Sequence, residues 1–228
     1  MPLTLGTNPT CAPRLRVYIA DDSPAMREGL ARLISDECDM AVTNSAATAA
    51  ELRQIVAANP PDVLVLDLRL GDDDGLALIE DLIGEVPALR IVVFTAQPKE
   101  VYAVRCLQAG ARAFVGKREA VGLLFRAIRD LAGDSILMPP GIATRTAAKT
   151  AGKKPASSGL AAPLTNRELQ VFRLVGQALA TKAVAAKLGV SVKTVETHRE
   201  NIKNKLGLDS HAELVARAAQ WLRENDGG

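Results

Sequence analysis

PDVLVLDLRL, residues 61–70, decides the fold. Val63, Leu64, Val65 and Leu66 form an unbroken apolar run, which reads as a strand buried on both faces. Asp67 follows where that strand would end. An isolated ionised carboxylate in a core is very costly. Asp67 is therefore expected at the mouth of a cleft, with a partner for its charge, if the strand reading holds.

Similar apolar runs lie on either side: LRVYIA at 15–20, LRIVVFT at 89–95, AFVG at 113–116, and a weaker one at 40–44. Helix-like segments separate them. Val121, Leu124, Phe125, Ile128 and Leu131 recur at helical spacing and make one apolar stripe. Ser23 and Pro24 supply an N-cap and a proline at the first helical position of another segment. Five strands alternating with five helices predict an α/β doubly wound parallel sheet.

The chain has 228 residues, 48% hydrophobic and 24% charged, a globular composition. No apolar stretch approaches the roughly 20 residues that a membrane span needs, and residues 1–14 carry no secretory signal pattern. Cys11, Cys38 and Cys106 form neither a metal spacing nor a disulfide framework, which fits a reducing cytoplasm. The net charge of +2 is unevenly spread. Acids outnumber bases over residues 1–133, and bases outnumber acids beyond them. The two halves are expected to meet different partners. Residues 134–162, rich in Pro, Gly, Ala, Ser and Lys, read as a flexible linker. They divide a domain at 15–133 from an all-helical domain at 163–228.

In a doubly wound sheet, ligands bind beyond the carboxyl ends of the strands. The first strand is followed by Asp21 and Asp22, the third by Asp67; the fourth ends at Thr95 and the fifth runs into Lys117. These tips should bring three carboxylates, a hydroxyl and an ammonium to one spot. A hard, oxygen-seeking Mg²⁺ suits such a site. With metal and Lys117 neutralising charge, one Asp can attack a phosphoryl group, and Thr95 can bond to the new phosphoryl oxygens. Each residue taken singly has a plainer reading: a loop acid, a helix cap, a surface lysine. GDDDG at 71–75 lacks the alternating acids of an EF-hand and reads as an acidic turn, with Asp74 capping the next helix.

Residues 15–131 resemble the response-regulator receiver domain. The resemblance implies that Asp67 is the phosphoacceptor. It implies that Asp21, Asp22 and Asp67 hold Mg²⁺ with the backbone carbonyl of Arg69, and that Thr95 and Lys117 contact the phosphoryl group. Phe114 stands at the family's switch-aromatic position, more often Tyr. Gly71 stands where many members have Pro. An aspartyl phosphatase is the enzyme alternative; it would carry a second Asp two residues after the nucleophile, where this chain has Arg69.

The all-helical end opens on Thr165 with Glu168 three residues later, a capping box. A short helix over about 181–188, a turn at Gly189, and a helix capped by Ser191 and running to about Leu206 match a helix-turn-helix. Val192, Val195, Ile202 and Leu206 are the expected anchors of the second of these. A last helix packs Leu214, Val215, Ala218, Trp221 and Leu222. Residues 163–224, through LTNRE and TKAVAAKLGVSVKTVETHRENIKNKLG, resemble the LuxR/NarL-type DNA-binding domain. Asn166 replaces a common Pro, and Ala183-Val184 a common Glu-Ile. The resemblance points to Lys182, Lys193, Thr194, Glu196, Thr197, His198, Arg199, Lys203 and Lys205 as DNA-facing residues. Lysines and arginines suit phosphate, and carboxylates suit cytosine.

Together the two resemblances imply a two-component response regulator of the NarL/FixJ class, not an enzyme in the ordinary sense. A sensor histidine kinase would phosphorylate Asp67, and a homodimer would bind double-stranded DNA at half-sites about one helical turn apart. The other reading is a receiver that signals through phosphate-dependent protein contacts without reading DNA.

Overall fold

The computed structural model describes residues 14–71, 73–133 and 164–225. The expected linker, nearly all of the N-terminal extension and Cys11 lie outside the described residues.

The first domain is a five-stranded parallel sheet in the order β2-β1-β3-β6-β7. Its strands are β1 (Leu15–Ala20), β2 (Met40–Ala46), β3 (Val63–Leu66), β6 (Ile91–Thr95) and β7 (Ala113–Gly116). Strand side chains alternate between two faces. Val17, Ile19, Val63 and Val65 pack with Leu30, Ile34, Leu124 and Ile128, from helices α1 (Pro24–Ser35) and α5 (Val121–Ala132). Tyr18, Leu64, Leu66 and Val93 pack on the opposite face, against α2 (Ala49–Ala58), α3 (Gly75–Glu85) and α4 (Lys99–Ala109). That double cover is why β3 is apolar at four successive positions, all buried.

The GDDDG segment departs from the expected simple turn. Arg69–Leu70 (β4) and Asp73–Asp74 (β5) pair antiparallel, and Gly71 turns the chain at φ 65°. Glycine tolerates that left-handed conformation without steric cost. Asp74 caps α3 as expected, accepting from the backbone N–H groups of Leu76 and Ala77.

The second domain holds α6 (Asn166–Gly176), α7 (Thr181–Lys187), α8 (Val192–Leu206) and α9 (His211–Asn225). The capping box at Thr165 and Glu168 is formed in both directions. Ser191 caps α8, and Gly189 and Gly207 take positive φ at the turns. Val195 and Ile202 anchor α8 in the core, Leu206 packs at its edge, and Phe172 meets Trp221 edge to face at 5.9 Å. Val192 corrects the expectation: it is 38% exposed. Val195, three residues further along α8, is fully buried.

The domains touch through α4 and the β5–α3 junction on one side and α6 on the other. The Arg105 guanidinium donates to the Leu164 carbonyl at 2.6 Å and to Asn166 Oδ1 at 2.8 Å. Gln170 donates to Asp74, and Arg173 to the Tyr102 hydroxyl at 3.4 Å.

Candidate functional site

Asp67 follows the last residue of β3, and its backbone N–H donates to the Ala20 carbonyl on β1. That bond sets the tips of β1 and β3 side by side. Asp67 is 6% exposed and Asp21 1%, whereas Asp22 lies open to solvent. The Thr95 hydroxyl, at the end of β6, donates to Asp67 Oδ1 at 2.7 Å, and the Arg69 N–H donates to the same oxygen at 3.2 Å. Lys117, just past β7, reaches Asp67 Oδ2 at 2.5 Å and Asp21 Oδ2 at 2.6 Å. Its backbone N–H is fixed by the Thr95 carbonyl. Asp21 Oδ1 accepts from the Ser23 N–H at 2.9 Å. Every carboxylate oxygen of Asp21 and Asp67 thus has a donor.

Burial by itself would lower the Lys117 pKa. The hydrogen bonds and negative charge of Asp21 and Asp67 outweigh it, and the net shift is upward. The ammonium stays charged while it neutralises two carboxylates. Asp21, Asp22 and Asp67 each bring a carboxylate oxygen within 4.8 Å of the others. A set of hard oxygen donors at that spacing fits Mg²⁺.

Phe114 is buried on the α2–α4 face of the sheet, 2% exposed, one residue along β7 from Val115 on the other face. The structure also gathers residues that sequence reasoning missed. Gln97, Arg118 and Asn225 line a small cavity with Asp67, Arg69 and Thr95. Gln97 is two residues beyond Thr95, and its N–H donates to the Thr95 hydroxyl. That spacing was a usable signal; nothing in the sequence linked Asn225, at the end of α9, to this cleft.

The DNA-facing candidates separate into two groups. Lys182, Lys193, Glu196 and Thr197 are exposed. The others are engaged or partly covered. Thr194 shares a hydrogen bond with Ser191 at 2.8 Å, and His198 is half-buried. Arg199 donates to the Thr181 hydroxyl and meets His211 Nε2 at 2.6 Å. Lys203 pairs with Glu200 at 2.9 Å. Lys205 pairs with Glu168 at 2.6 Å, and Glu168 is 4% exposed. Burial pushes the Glu168 carboxyl up, but Lys205 and the Thr165 donors bring it below its usual value.

Comparison with known proteins agrees with this geometry. Residues 17–129 match the response regulator receiver domain, and residues 162–218 match the bacterial regulatory proteins of the luxR family. The chain is 31% identical over 209 residues to the oxygen regulatory protein NreC of Staphylococcus carnosus, covering 90% of this chain and 96% of the relative. It is 31% identical over 203 residues to the transcriptional regulatory protein UhpA of Salmonella typhimurium, covering 89% and 97%. Among solved structures it is similar to RcsB of Salmonella enterica bound to promoter rprA with the phosphomimetic BeF3-. That likeness has a TM-score of 0.71 at 23% identity, over 90% of this chain and 98% of the other. A receiver sheet with a converged acidic cleft, followed by a LuxR-type helix-turn-helix, places the chain in a family: it belongs to the response regulators of the NarL/FixJ class.

Proposed function

We propose that a sensor histidine kinase phosphorylates Asp67, and that the phosphorylated chain controls transcription as a homodimer on double-stranded DNA. The observation that carries this reading is the convergence of Thr95 and Lys117 on the two oxygens of Asp67.

Asp67 attacks the phosphorus of the donor, the bond from phosphorus to the donor histidine nitrogen breaks, and an acyl phosphate forms. Lys117 holds Asp67 in place beforehand and meets the charge of the phosphoryl oxygens afterwards. Thr95 turns its hydroxyl from Asp67 Oδ1 to a phosphoryl oxygen. Asp21, Asp22, Asp67 and the Arg69 carbonyl would hold Mg²⁺, which supplies positive charge against the transferring group. The movement of Thr95 is passed to the receiver surface beside Phe114. The chain is an acceptor, with at most self-phosphorylation from small donors and self-dephosphorylation. No helix among the described residues is long and apolar enough to cross a membrane; a cytoplasmic site of action is part of this proposal.

Dimerisation would present two α8 helices to half-sites about one helical turn apart. Lys182, Lys193, Thr194, Glu196, Thr197, His198, Arg199, Lys203 and Lys205 remain the candidate interface.

The test is intact mass after incubation with Mg²⁺ and acetyl phosphate. One added phosphoryl group is expected on the wild type and none on Asp67→Asn. Addition to both proteins would move the acceptor elsewhere; addition to neither would remove phosphoryl control.

A further inference from the structure

A cavity of about 350 Å³ opens between the two domains. The β4–β5 turn, the start of α3 and Tyr102 of α4 line it from the receiver; α6 and the end of α7 line it from the helical domain. Its volume lies in the range of small-molecule sites, which favour the boundaries between domains. Leu68 and Leu76 from one side, and Leu169 and Leu174 from the other, are buried and give it an apolar lining.

The rest of the lining is charged, and the charge is unbalanced. Arg53, Arg69, Arg167, Arg173 and Lys187 contribute five cations. Among the described lining residues the acids are Asp73 and Asp74, so the cavity carries a net charge of +3. Asp74 is committed to its own cap: Oδ1 accepts from the Leu76 N–H, and Oδ2 accepts from the Ala77 N–H and from Gln170. The Arg167 guanidinium is fixed by two neutral acceptors, Gln170 Oε1 at 2.8 Å and the Leu188 carbonyl at 2.6 Å. Those bonds aim the group without cancelling its charge. Arg69 is exposed. The segment that joins the domains does not match this cavity, since residues 134–159 hold Arg145, Lys149, Lys153 and Lys154 against Asp134.

Apolar walls with an excess of arginine suit a ligand with an apolar body and an anionic head. A phosphate monoester brings about two negative charges and three strong acceptor oxygens, and arginine matches phosphate geometry. We infer that the cavity between the domains binds a small organic phosphate, with Arg69 and Arg167 on the phosphate and Leu76, Leu169 and Leu174 against the body. Arg69 also lines the small cavity at Asp67. A ligand that draws the Arg69 side chain toward α6 takes positive charge from the acceptor cleft and slows phosphoryl transfer to Asp67. The binding site is independent of DNA readout; its effect on Asp67 rests on the phosphorylation proposed above.

The test is isothermal titration calorimetry of the full-length protein with adenosine 5′-monophosphate and with phenyl phosphate. Both should bind, and adenosine should not. Arg167→Ala and Arg69→Ala should each weaken binding by roughly tenfold, as expected for a lost hydrogen bond to a charged group. Arg126→Ala removes an exposed cation on α5, outside the cavity, and should bind as the wild type does. Arg69 is exposed, so its variant keeps the test valid if Arg167→Ala folds poorly. The nucleotide should also slow labelling of wild-type Asp67 by acetyl phosphate, and should do so less in Arg167→Ala. No binding of either phosphate below about 1 mM, or equal weakening in all three variants, would overturn the site. Binding without any change in labelling rate would overturn its link to Asp67. A wild type that acetyl phosphate never labels would instead remove the phosphoryl reading and leave the calorimetry to decide the site.

Discussion

Lys117 decides the state of the cleft. It separates Asp21 and Asp67, whose side chains are 2% and 7% exposed. Removing it leaves two like charges facing each other in a poorly solvated space. Breaking a buried pair in this way costs about 3 kcal/mol. Lys117→Met should therefore lower the urea midpoint in the absence of divalent cation. Mg²⁺ should restore more of the stability of this variant than of the wild type, since the metal replaces the missing charge. Equal Mg²⁺ effects on the two proteins would place the metal away from these carboxylates. The pH sign follows from the raised Lys117 pKa. Its contribution is present below the unfolded value of 10.5 and is lost as pH rises through the higher folded value. The wild type should lose stability in that alkaline window, and Lys117→Met should not show this component.

At the scale of elements, glycine separates two kinds of helix. A Cβ on Gly176 would lie 2.6 Å from the Ala218 carbonyl oxygen and 2.7 Å from Leu222 Cδ1. Gly176 is what lets α6 and α9 approach so closely. Gly29, inside α1, has nothing within 4 Å of the same added atom. Gly176→Ala should force the helices apart and lower Tm by several degrees, because overpacking costs about 1–3 kcal/mol. Gly29→Ala should raise stability by about 0.5–1 kcal/mol, through reduced freedom of the unfolded chain. Thermal melts followed by circular dichroism check both. A neutral Gly176→Ala would mean that α9 is not held against α6 as described.

For the whole molecule, the contact between domains joins their buried apolar residues in one cluster, adds hydrogen bonds, and reaches the phosphoacceptor cleft. Arg105 grips the start of α6, and Asn225 at the end of α9 lies at the mouth of the cleft beside Asp67. Arg105→Ala should loosen this arrangement. The radius of gyration from small-angle scattering should increase, and acetyl phosphate should label Asp67 faster as Asn225 moves away. An unchanged radius and rate would show that Arg105 does not hold the domains together. Asp74 gives the contact a pH dependence. Burial raises its carboxyl above the usual value, against the opposing pull of its backbone donors and of Arg167 and Arg173. A raised folded pKa means that stability is greatest below the unfolded value of 3.8 and declines as pH rises through the folded value. Asp74→Asn keeps a capping side chain and removes the charge. Chemical denaturation across that acidic window should find the variant gaining on the wild type as pH rises.

The sequence by itself determined the sheet, the helix caps and the five residues of the cleft. Those signals are local: apolar runs of strand length, Ser, Thr and Asp ahead of helices, and polar residues placed where strands stop. A parallel sheet then gathers strand ends on one side, so Asp21, Asp67, Thr95 and Lys117 had to meet. Tertiary structure alone decided which charges remain available. Lys205 and Arg199 read as phosphate ligands, yet packing brings them to Glu168 and to Thr181 with His211. Val192 fits the apolar spacing of α8, yet it stands exposed. Asn225 has no local mark, and only the docking of two domains brings it near Asp67. Periodicity tells which face of a helix is apolar; it cannot tell where along that face a partner ends, or which opposite charge a long side chain will find.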